Sequence, residues 1–206
     1  MVDTNNLGGI EDLDPGAPQA PVELNAEALQ RANFGSDGSG DVPPGVEAFE
    51  DLGHPAQLQI DIGKAHNFLV ACMNAHPRVK YGLGAKAPFN GAPGVDFKAV
   101  DCSGFVREAI RRSTNLGNSF PDGSVVQHEW IESRDFKQVN RATGSAPDGA
   151  VRIAFLSPSD SSEGIGHVVL IHNGKTLESH GGVGPDERPW TSRGWQAKAS
   201  VYLLKP

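Results

Sequence analysis

Only two cysteines, Cys72 and Cys102, occur among 206 residues, and their surroundings differ so much that a bridge between them is not the natural reading. A chain of this length can bury a core without such a staple. Basic residues are scarce at the front: residues 1–55 hold eleven Asp or Glu against Arg31 alone, leaving 14 acidic and 17 basic residues in 56–206. The net charge of −7 therefore belongs to the front segment. No Lys/Arg cluster interleaved with aromatics appears, which argues against nucleic acid as a partner. Long apolar runs are also missing. None approaches the roughly 20 residues of a spanning helix, so membrane insertion is not expected. The opening Met1-Val2-Asp3-Thr4-Asn5 lacks the basic and apolar regions of a secretory signal. Export would then depend on phage lysis, specialised secretion or assembly into a particle, unless a leader has been removed.

Residues 1–55 are rich in Gly, Pro and Asp and can bury little apolar surface, so they read as an acidic arm or linker. One short helix is expected from Ala26 to Asn33, capped by Asn25. Asp37, Ser39 and Asp41 mimic the opening of a calcium loop. Val42 stands where the turn glycine belongs, however, and Ala48 where the bidentate Glu belongs, so this stretch reads as an acidic loop.

Residues 56–206 read as one domain. Ile62, Ala65, Phe68, Leu69, Cys72 and Met73 recur at helical spacing, predicting an amphipathic helix over Ile60–Ala75 with Cys72 on its buried face. His66 falls on its solvent face and His76 in its last turn. A second stripe, Cys102, Phe105, Val106, Ala109 and Ile110, predicts a helix that starts at Asp101-Cys102. Val125, Val126, Glu129 and Trp130 predict a third, short helix over Ser124–Glu132 after the break at Asp122-Gly123, with His128 at the surface. The period then changes. Ala150–Leu156, His167–His172, Lys175–His180 and Lys198–Leu204 are β-prone runs, and Asn173-Gly174 is a strong signal for a two-residue hairpin turn. Helices first and an antiparallel sheet afterwards is the α+β pattern.

Cys102 is the first candidate for chemistry. At a helix start the unpaired amides and the helix dipole favour negative charge, and the same amides can bind the oxygen of a tetrahedral intermediate. A thiolate nucleophile needs a base, and the base a third group to orient it. Across the expected turn, Val169 faces Glu178 and His167 faces His180, so these four share one face of the hairpin. His167 with Glu178 and His180 beside it is the constellation of an oriented base. A pair of structural histidines, or a zinc site made with the carboxylate, would use the same residues, although the spacing is not diagnostic of metal.

These residues also resemble a known family. Asp101-Cys102-Ser103-Gly104-Phe105-Val106 looks like the nucleophile motif of the NlpC-type cell-wall peptidases. Gly166 to Ile171, followed by Asn173 to Glu178, looks like their histidine hairpin, and Tyr81-Gly82-Leu83-Gly84 resembles the tyrosine loop ahead of the nucleophile. Pro147-Asp148-Gly149-Ala150 resembles the lead-in to the strand between the motifs. The matches run in the family's order over about residues 57–206. The resemblance implies a papain-like α+β fold with N-terminal helices packed on a small antiparallel sheet. It further implies a cysteine peptidase: Cys102 as nucleophile, His167 as base, and Tyr81, Asp101 and Ser103 lining the subsite for a peptidoglycan stem peptide. The reaction implied is hydrolysis beside a D-glutamyl residue, typically of the γ-D-glutamyl to diamino acid bond, with no metal or organic cofactor. This hairpin turn is one residue shorter than the common form. Family alignment therefore points to Glu178 as the third residue, while direct strand pairing puts His180 opposite His167. Leu83 and Ala85 also replace the family's aromatic and second glycine. An antibacterial amidase toxin, or a wall-binding module without turnover, would share much of this pattern.

Overall fold

The computed structural model describes residues 56–206. The acidic arm, its expected helix at 26–33 and the calcium-like loop lie outside the described residues. Those described form a mixed helix-and-sheet unit with three α-helices and one six-stranded antiparallel sheet. Among them, no helix is long and apolar enough to cross a membrane.

Helix α1 (Ile62–Asn74) starts where the Asp61 side chain accepts the Lys64 amide and buries Ala65, Phe68, Leu69 and Cys72, the stripe read from the sequence. It stops short of the expected Ala75. That residue is extended, as suits a chain about to meet Pro77, and His76 lies beyond the helix rather than in its last turn. A short parallel pair follows, β1 (Lys80–Tyr81) with β2 (Ala99–Val100), whose register sets Tyr81 against Val100. Helix α2 (Cys102–Ser113) begins two residues after that pairing. Its Phe105 is fully buried and stacks on Phe68 at 5.3 Å between centroids. Truncating such a side chain costs about 3–5 kcal/mol, so the start of α2 is firmly seated on α1.

Helix α3 (Ser124–Glu132) has the expected span but turns a different face inward. It buries Gln127 and Ile131 and leaves Val125 and Val126 exposed. The Gln127 amide reaches the Ser103 and Pro121 carbonyls, both at 3.0 Å, so a polar tie to the start of α2 outranks the two valines. His128, expected at the surface, is only partly exposed: its ring stacks on Phe155 at 4.6 Å and meets the Tyr202 hydroxyl at 2.9 Å.

The sheet comprises β3 (Gln138–Val139), β4 (Val151–Leu156), β5 (His167–His172), β6 (Lys175–His180), β7 (Gly184–Asp186) and β8 (Ser200–Lys205) in the order β3-β8-β4-β5-β6-β7. The β5–β6 turn has Asn173 and Gly174 both at positive φ (48° and 76°), the pair of left-handed residues that an Asn-Gly turn supplies at least cost. Alternation divides the sheet's two faces. Ile153, Phe155, Val168, Leu170 and Leu177 join the helices in the main core, while Ala154, Val169 and Ile171 pack with Trp190, Ala199 and Val201 in a second cluster. Coverage on both faces explains why β4 is buried at all six positions instead of alternating.

Candidate functional site

Asp101 builds the start of α2. One carboxylate oxygen accepts the Gly104 amide at 2.6 Å, capping the helix, and the Ser103 hydroxyl at 3.1 Å. The other accepts Lys86 Nζ at 2.6 Å and the Gly84 amide at 3.1 Å. Lys86 Nζ also reaches the Ser103 hydroxyl at 2.8 Å and Asp122 at 3.1 Å. Asp101 and Ser103 are each 4% exposed and committed to this network. Cys102 is the first helical residue. Its amide has no described hydrogen-bond partner, as is normal at a helix start.

The hairpin brings His167 to the same place. The Cys102 Sγ lies 3.9 Å from the carbonyl oxygen of Gly166, the residue before His167. A Cβ at Gly166 would lie 2.7 Å from the Ser124 hydroxyl and 3.3 Å from the Leu156 carbonyl oxygen, so glycine lets this segment pack closely on the start of α3. Ser179, next to Glu178 on β6, donates to the Val100 carbonyl at 2.7 Å and so ties the hairpin to the strand that leads into Cys102.

His167 Nε2 meets a Glu178 carboxylate oxygen at 2.8 Å, and Glu178 is wholly buried. Burial alone would push the imidazole pKa down. Interactions with Cys102 and Glu178 outweigh it and hold His167 at about 9. Burial likewise works to raise Glu178, but its bonds to His167 and Arg188 bring it down to about 2. With Nε2 engaged by Glu178, Nδ1 is the ring nitrogen left for the thiol. Trp195 meets the imidazole at right angles, 5.0 Å between centroids, and is itself backed by Trp190 at 5.8 Å.

Of the two candidates for a third residue, Glu178 is the one that accepts a hydrogen bond from His167. The β5–β6 ladder pairs only Leu170–His172 with Lys175–Leu177, and beyond it β6 pairs with β7, His180 standing against Gly184. His180 Nδ1 is 3.2 Å from the Gly181 carbonyl, and among the described residues its buried Nε2 has no hydrogen-bond partner, Asp186 being 3.9 Å away. Burial and then Arg188 lower its pKa, which favours a neutral ring. Among the described residues no group of three or more His, Cys, Asp or Glu is placed to hold a metal ion, so His167, Glu178 and His180 do not converge as a zinc site would require. Tyr81 is half-buried near Cys102 and Asp101, and burial first, then the charges at those two residues, raises its phenol. Cys72 is fully buried, and desolvation pushes its thiol up to about 12.

Sequence reasoning missed Arg188, Thr176, Ser179 and Trp195. Thr176 shares a strand face with Glu178 by period 2, a usable signal. The others come from segments whose approach only the fold reveals.

No protein-family model matches this chain, and no curated protein matches it. Among solved structures it is similar to the peptidoglycan hydrolase RipB (Rv1478) from Mycobacterium tuberculosis, with 20% identity over 70% of this chain and 68% of that one, at a TM-score of 0.35. At that level of likeness, the chemistry of the site rests on its own residues.

Proposed function

We propose that this chain is a cysteine hydrolase of the NlpC-type, papain-like class that cuts stem peptides of bacterial peptidoglycan beside D-glutamate. The observation that carries the chemistry is the Cys102–His167–Glu178 series: a thiol at a helix start whose Sγ lies 3.9 Å from the carbonyl oxygen of Gly166, the residue before His167, and a buried carboxylate 2.8 Å from the His167 Nε2. The substrate class rests on the motif resemblance of residues 81–84, 101–106 and 166–178.

In the proposed reaction His167 takes the Cys102 proton through Nδ1 and becomes an imidazolium balanced by Glu178. The sulfur forms a bond to the amide carbonyl carbon, and the carbonyl oxygen, now negative, is met by the Cys102 amide at the start of α2. The C–N bond breaks as His167 returns the proton to the leaving amine. Water, deprotonated by His167, then hydrolyses the thioester and restores the thiol. Tyr81 borders the acyl subsite. Asp101 and Ser103 shape it from beneath, through the Lys86 network.

Purified protein should clear a suspension of cell-wall sacculi, and Cys102→Ala and His167→Ala should each abolish clearing. Clearing by Cys102→Ala at the wild-type rate would remove the mechanism.

A further inference from the structure

A carboxylate shut away from water needs its charge and its lone pairs met within the protein. For Glu178, which has no exposed surface, Arg188 does most of this: Nε donates to one oxygen at 2.9 Å and Nη2 to the other at 2.7 Å. Such a two-pronged grip fixes the plane of the carboxylate as well as its charge. The oxygen held by Nη2 also receives His167 Nε2, and the one held by Nε also receives the Thr176 hydroxyl. Arg188 is itself anchored. Its amide donates to Thr176 Oγ1 at 3.0 Å, and its carbonyl accepts the Thr176 amide at 2.8 Å. The Thr176 hydroxyl has a second acceptor in the Arg188 carbonyl at 3.2 Å, whereas the two Arg188 donors can only donate.

We propose that Arg188 is a positioning residue of the reaction: its fork holds the Glu178 carboxylate charged and in one orientation, so that Glu178 fixes the His167 ring with Nδ1 toward Cys102. The inference rests on the Cys102–His167 reading above. The charged or titratable groups acting here are Cys102 and Glu178 on His167, His167 and Arg188 on Glu178, and Glu178, Arg188 and Asp186 on His180. Arg188 is 37% exposed along its side chain, so removing it opens the network to water rather than leaving a sealed void.

The test measures iodoacetamide alkylation of Cys102 near pH 7 by peptide mass spectrometry, with Cys72 as internal reference and melting recorded for every variant. Arg188→Met should slow Cys102 labelling roughly tenfold, as expected for loss of charge-assisted bonds. Arg188→Lys, which keeps the charge but cannot form the fork, should recover part of the rate. In a Glu178→Gln background Arg188→Met should add no further slowing, because Arg188 acts through Glu178. Wild-type labelling in Arg188→Met, or an equal slowing with and without Glu178, overturns the proposal. Should Arg188→Met fail to fold, Arg188→Lys carries the test, and a wild-type rate there overturns it. No peptidoglycan enters this assay. A chain inactive on sacculi that passes it loses only its substrate assignment, whereas unchanged labelling in His167→Ala would remove the Cys–His reading itself.

Discussion

Replacing Glu178 by Gln changes the charge of the site with almost no change in its shape. His167 is held at about 9 against an ordinary 6.5, and at about 1.4 kcal/mol per pH unit the gap amounts to roughly 3–4 kcal/mol in favour of the charged ring. Glu178 is one of the two partners that raise the ring's pKa against the opposing effect of burial, so removing its charge takes away part of that preference. The His167 ring of Glu178→Gln, followed by NMR of its C–H resonances, should therefore titrate below wild type, by roughly 1–3 units, as for loss of an adjacent opposite charge. A folded-state value above the unfolded one contributes stability that is fully present below the unfolded pKa of about 6.5 and is lost as pH rises through about 9. The melting-temperature deficit of Glu178→Gln should thus be widest near pH 6 and narrow as pH passes 9. A ring titration that does not move, or a deficit independent of pH, would refute the electrostatic account of the site.

Three other outcomes follow from the same contacts. Native protein should take up iodoacetamide at Cys102 well before Cys72, whose thiol burial pushes up to about 12, and both should react equally once unfolded; equal labelling in the native state would contradict this. Asp101→Ala removes the cap of α2 and should cost about 1–2 kcal/mol for the cap alone, seen as a lower chemical-denaturation midpoint. Gly144→Ala would set a Cβ 2.5 Å from the Trp190 ring nitrogen. It should cost about 1–3 kcal/mol and lower the hydrolytic rate, since Trp190 backs the Trp195 ring that meets His167; an unchanged melting temperature would show that Trp190 moves freely.

What could be read from the sequence was local. The Asp101 cap, the helical stripe behind Cys102 and the Asn173-Gly174 turn each act within a few residues, and each lies where periodicity and turn chemistry place it. The hairpin also put Glu178 and His180 on the face of His167, but could not choose between them. The choice depends on where β6 leaves β5 for β7, and that is set by packing beyond the pair. The face of α3 was misread because its buried member is a glutamine whose amide finds two carbonyls from other segments, a gain that hydrophobic periodicity does not register. His128 was misplaced for the same reason, its partners Phe155 and Tyr202 coming from two strands of the sheet. Arg188 carried no signal at all, since its value lies in reaching a carboxylate ten residues back across β7.

Mass spectrometry of the soluble muropeptides released from purified sacculi tests the central claim most directly. The account predicts stem peptides severed by water beside the glutamyl residue, glycan strands left whole, and none of these products with Cys102→Ala. Intact stems after exhaustive digestion, or the same fragments from the Cys102→Ala protein, would contradict it.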